Sequence, residues 1–211
     1  MEYVRDVTKV QSVSVQIPRQ SDVARLTLEA SRRAEAMGLL EPGLVRADAG
    51  GIRQLANRVR RAGIAASAAD LLNNIEVPSA GELATLLGTM IAALENSPAP
   101  EFEWHGVERV FSAEELAPLL HVSLSSLKRY QSGERDTPDR VAARLHWLAL
   151  TLGDLAGSYN DIGIRRWFHR KRARLDGRTP AALLRGEWDA DDDGPKQVRQ
   201  LARELVSLSA T

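Results

Sequence analysis

Val141, Leu145, Leu148, Leu152 and Leu155 recur at steps of four, three, four and three through TPDRVAARLHWLALTLGDLAGSY. That rhythm keeps the side chains on one side of a 3.6-residue helix, whereas a strand would scatter them over both faces. The segment is therefore expected to be a helix with one long core or interface stripe. Thr137 reads as its cap and Pro138 as its first residue, where the missing N–H costs nothing. Trp147 lies beside the stripe and is expected to pack against a neighbouring helix.

The same period runs through most of the chain. Val23, Leu26, Ala30, Ala34 and Met37 mark a helix from Ser21, and IRQLANRVRRAG and the shorter IAASAADLL follow it. Ser79 with Glu82 three residues on is a capping box opening another helix. Residues 1–20 alternate only weakly and read as an N-terminal arm. The proline-rich NSPAPEFEW, residues 96 to 105, is the best boundary, closing an N-terminal helical domain at 21–105 that could serve oligomerisation. The expected fold class is all-α: an N-terminal helical region, a central helix-turn-helix region at 106–159 and a small C-terminal helical domain at 160–211.

Composition narrows the functions. A chain of 211 residues with 44% hydrophobic content buries a real core, and its formal net charge of zero gives no global basic field. Any nucleic-acid contact must then be local. There is no cysteine, so disulfides and thiolate metal sites are excluded. No apolar run approaches the roughly 18 residues of a membrane span, and the start of the chain does not read as an export signal, so a cytoplasmic protein is expected. His105, His121, His146 and His169 share no metal-ligand spacing, and no Gly-rich phosphate loop follows a strand. No enzyme, metal or cofactor is expected. Asp189, Asp191, Asp192 and Asp193 read as a solvated acidic loop.

After the boundary, FSAEELAPLLHVSLSSLKRYQSGERDTP carries a second capping box, Ser112 with Glu115, and Phe111 and Leu116 at hydrophobic-staple positions. Leu116, Ala117, Leu120, Val122, Leu127 and Tyr130 fit two short helices joined at HVS, with Ser123 capping the second and Gly133 ending it. With Leu127 and Tyr130 inward, Ser125, Ser126, Lys128, Arg129 and Gln131 point outward and suit base edges and phosphates; Ser123 and Arg135 complete the candidate DNA contacts. The segment resembles the Xre-type helix-turn-helix through Ala117, Val122 and YQSGER. Two residues depart from that pattern: His121 stands where glycine is usual, and Pro118 should kink or shorten the first helix.

Farther on, NDIGIRRWFHRKRARLDGRTPAALL packs six Arg or Lys residues between Arg165 and Arg174 around Trp167 and Phe168. Asn160 or Asp161 caps a helix with Ile164, Trp167 and Phe168 on one face, and Leu175 rejoins that face if the helix continues. Gly177 breaks it, Thr179 and Pro180 open a short helix through Leu184, and an acidic loop leads to a last amphipathic helix bearing Val198, Leu201, Leu205 and Leu208 on one side.

That order, with Trp167, Leu175, Gly177, Thr179, Pro180 and Leu184 as its most specific residues, resembles the toxin-binding domain of the Xre/MbcA/ParS antitoxins over residues 140–208. The density of Arg and Lys after Phe168 departs from the family. The resemblance implies an antitoxin that neutralises a cognate toxin, commonly a RES-domain NAD-consuming enzyme, and represses its own operon. Trp167, Phe168, Pro180, Leu184, Leu205 and Leu208 would supply apolar anchors where their faces are not spent on the domain's own core, which is the preferred reading for Trp167. Arg170, Lys171, Arg172 and Arg174 would form a charged rim, or meet DNA phosphates or the chain's own acidic loop. Operator binding implies a homodimer. The competing reading is a stand-alone transcriptional regulator whose C-terminal domain dimerises or senses a partner.

Overall fold

The computed structural model describes residues 20–208 apart from 44, 45 and 47, and these build helices with no strand among them. In chain order the helices are α1 (Gln20–Ala36), α2 (Ala49–Arg61), α3 (Ala66–Asn74), α4 (Ala80–Asn96), α5 (Pro100–Glu108), α6 (Ala113–Leu120), α7 (Leu124–Gln131), α8 (Asp139–Leu155), α9 (Asp161–His169), α10 (Pro180–Leu183) and α11 (Asp193–Leu208). A single 3-10 turn, Ala173–Leu175, stands between α9 and α10. The expected arm lies outside the described residues except for Gln20, which opens α1.

The helix with the long leucine stripe, α8, is the centre of the molecule. Every residue from Arg144 to Leu155 is buried, because α1, α5 and α11 pack around it and cover more than the stripe. A helix enclosed on all sides is apolar almost all round, and its few polar groups need partners. Trp147 stacks edge-on against Trp188 at 5.2 Å.

Local signals set the helix starts. In both capping boxes the serine hydroxyl accepts the backbone N–H three residues on and the glutamate carboxylate accepts the serine N–H. Thr137 differs from its expected role. It accepts the Trp104 indole N–H at 3.1 Å, and α8 begins one residue later, after Pro138. A buried indole N–H usually takes such an acceptor.

Residues 96 to 105 are not a linker. Asn96 closes α4, Pro100 occupies the first turn of α5, and Glu103 and Trp104 are buried against α8. Proline here starts a helix, the one position where its ring suits helical geometry. The last turn of α1 also meets α5 so closely that a Cβ on Gly106 would collide with the Ala36 carbonyl. One apolar core therefore runs from Val23 to Ala202.

A charged cluster pins three helices, α1, α4 and α11, to α8. Arg33 of α1 reaches Glu95 of α4 at 2.8 Å, and Arg199 of α11 reaches the same carboxylate at 2.7 Å. Asp154 of α8 lies 3.3 Å from both Arg199 and Arg203.

Candidate nucleic-acid and partner surfaces

Two short helices and a three-residue turn, α6 to α7, are held against α8 from behind. The last carbonyls of α6 have no helical partner, and two buried side chains satisfy them: Trp188 Nε1 donates to Leu119 O at 2.9 Å, and Arg144 Nη1 donates to Leu120 O at 3.1 Å. Arg144 Nε also donates to Trp188 O at 2.8 Å, with its guanidinium 5.3 Å from the indole. Neither Arg144 nor Trp188 stood out in the sequence, because nothing local marks a residue that caps a distant helix.

The turn itself explains one departure from the sequence pattern. His121 adopts φ +55°, the left-handed conformation that glycine takes without strain. Val122 N then donates back to Ala117 O at 3.0 Å, closing α6. Pro118 sits inside α6, which still runs on to Leu120.

Leu127 and Tyr130 face the core as expected, which turns the rest of α7 outward. Ser125, Lys128, Arg129 and Arg135 are exposed, and Ser126 and Gln131 are half-buried. Ser123 is committed to structure: it accepts the Ser126 N–H at 3.1 Å and its hydroxyl donates to Ser126 Oγ at 2.9 Å. Arg129 stands 3.7 Å from Glu134, and Arg135 lies over the Tyr130 ring at 5.7 Å. An exposed ion pair such as Arg129–Glu134 contributes little.

The C-terminal candidates divide sharply. Trp167, Phe168, Pro180 and Leu184 are buried and offer no side chain to a partner. Phe168 stacks edge-on with Phe111 at 5.0 Å and with Trp167 at 5.3 Å, so the aromatic pair belongs to the chain's own core. Leu205 packs half-buried against that core, and the side chain of Leu208 lies outside those described. The helix stops at His169, yet Leu175 still reaches the interior through the 3-10 turn.

The basic run is likewise partly spent. Arg165 Nε donates to Val110 O at 2.7 Å, and His169 lies 3.3 Å from Glu115, so α9 is fastened to the entry of α6. The Arg172 guanidinium covers the Trp167 ring at 4.8 Å, and Arg174 pairs with Glu204 of α11. None of the run meets the acidic loop, whose Asp189 and Asp191 pair with Arg140 and Lys196. Arg166, Arg170 and Lys171 remain exposed, with no ion-pair partner among the described residues.

Two apolar residues beside them were not among the sequence candidates. Ile162 is 62% exposed and Tyr159 is 37% exposed at the start of α9. The signal was present: with Ile164, Trp167 and Phe168 inward, Ile162 and Arg166 share the opposite side of the helix at a four-residue step.

No group of three His, Asp or Glu residues suited to a metal ion occurs among the described residues, and no helix among them is long and apolar enough to cross a membrane. No family model, curated protein or solved structure matches the chain.

Proposed function

We propose that the protein is an antitoxin: it binds and neutralises a cognate toxin, of the RES-type NAD-consuming class, and as a homodimer represses its own operon through α7. The observation that carries this reading is the outward side of α9, where exposed Ile162 stands one turn before exposed Arg166, with Arg170 and Lys171 exposed just past the end of the helix. An apolar anchor with a cationic rim suits a protein partner, since desolvated apolar area gives affinity and rim charge steers encounter. The α7 face adds the second activity, with hydroxyl, amide and cationic groups on a helix whose other side is fixed in the core. Arg165 and His169 fasten α9 to Val110 and Glu115 at the entry of α6, the helix that precedes α7.

Co-expression tests the proposal. An enzyme encoded beside this chain and co-transcribed with it should arrest growth alone and fail to do so when the chain is present. Equal arrest in both cultures would sink the antitoxin reading and leave a regulator of other genes.

A further inference from the structure

The N-terminal half carries a surface that neither α7 nor α9 accounts for. Helix α2, AGGIRQLANRVRR, contains four arginines and no acidic residue in a chain whose total charge is zero. Its inner side is fully spent: Gly51, Ile52, Leu55, Ala56 and Val59 are buried against the core. Everything polar is thus forced to the other side, where Gly50, Arg53, Gln54, Asn57, Arg58 and Arg61 form one open face of the helix. These positions follow a three- and four-residue step over about 16 Å of helix.

Some of the charge is used internally. Arg60 pairs with Asp70 at 2.7 Å, and Arg53 donates to the carbonyls of Ile75 and Glu76 at 3.0 and 3.1 Å. Asn57 accepts from Asn73 at 2.8 Å and keeps its own amide hydrogens. Gln54, Arg58 and Arg61 are exposed and have no partner among the described residues. Stabilisation of the helix dipole calls for cations near the last turn, but it calls for no amides along the same face.

We infer that this face of α2 binds the phosphate backbone of duplex DNA, a second binding surface distinct from α7. Charge complementarity favours a polyanion, and the composition selects DNA over an acidic protein. The outward side of α2 has no exposed large apolar or aromatic residue to anchor a protein interface, its one exposed apolar side chain being that of Ala49. It does have amides beside guanidinium groups, the pairing that meets base edges and phosphates in a groove wide enough for a helix. The inference rests on α2 alone and stands whether or not α7 reads an operator.

Salt titration of the full chain on a duplex of random sequence tests it, because each phosphate that a variant leaves unneutralised lowers the slope of log K against log salt by about 0.9. Arg58→Gln with Arg61→Gln, both at exposed positions, should reduce the slope by about 1.8 and leave the circular dichroism spectrum unchanged. Lys128→Ala with Arg129→Ala is titrated in parallel. An α2 variant that matches the parent while the α7 variant weakens would overturn the α2 surface and spare the α7 reading; the reverse result would support α2 alone. A parent chain that does not bind the duplex at low salt, or that binds polyglutamate with the same dependence on Arg58 and Arg61, would also overturn it.

Discussion

His146 of α8 and Glu103 of α5 meet inside the protein, with Nδ1 2.5 Å from Oε1 and the carboxylate fully buried. The other ring nitrogen, Nε2, lies 3.1 Å from the Glu95 carbonyl, which can only accept, so Nε2 carries a hydrogen. The interaction ties the helices at the end of the N-terminal half to the central helix.

Removing one partner strands the other. Glu103→Ala or His146→Ala should each cost about 3–5 kcal/mol, the range found when one member of a buried pair is deleted. Replacing both with apolar residues of similar volume should cost less than either single change, a coupling that urea unfolding of the two single variants and the double variant reads directly.

Acid should act on the charged cluster in two opposite ways. Burial alone would raise the Glu95 carboxyl, but Arg199 and Arg33 outweigh it and hold the group below its ordinary range. A depressed carboxyl stabilises the fold above its unfolded value, and that contribution is lost as pH falls through the folded value. Asp154 is raised because burial outweighs its arginines, so its contribution is present at low pH and lost as pH rises through the folded value. Comparing urea midpoints at about pH 7 and about pH 4, the deficit of Glu95→Gln relative to the parent should shrink in acid, whereas Asp154→Asn should compare less favourably with the parent there. Parallel pH profiles for both variants and the parent would contradict these assignments.

Features written within a few residues were legible in the sequence. Both capping boxes, the inward Leu127 and Tyr130, and the restart at Thr179 and Pro180 follow from local chemistry, and each helix start occurs where its cap stands. Helix α5 was hidden because Pro98 and Pro100 look like a break, although a proline in the first turn is also how a helix begins. The buried interactions of Arg33, Arg144, His146 and Trp188 join residues far apart in the chain, and no period or spacing encodes such a meeting. The C-terminal candidates were found as a segment, and Trp167 lies in the core as its preferred reading had it, whereas exposed Ile162 on the opposite side of α9 was not singled out.

The outward face of α7 makes a prediction about operator DNA. Lys128→Ala with Arg129→Ala should weaken binding by about 1–3 kcal/mol for each base edge that the truncated side chains no longer reach. A side chain that holds a phosphate would instead weaken all sequences alike when removed and lower the salt slope by about 1. Mobility shift at fixed salt on operator and scrambled duplexes separates the two, and unchanged affinity on both would refute the assigned face.

Core and surface on α9 should separate cleanly by mutation. Trp167→Ala removes a side chain that is 2% exposed and stacked on Phe168, and should cost about 3–5 kcal/mol of stability. Any loss of toxin binding in that variant would follow from unfolding and should track its midpoint in urea. Ile162→Asp changes a side chain that is 62% exposed, so stability should shift by no more than about 0.5 kcal/mol. Binding should nevertheless fall, because the apolar anchor is lost and a carboxylate in its place must be desolvated beneath the partner. Co-purification with the toxin and thermal unfolding, measured on the same two proteins, decide the matter. If Ile162→Asp retains the toxin at parental affinity, the partner surface is not on this side of α9.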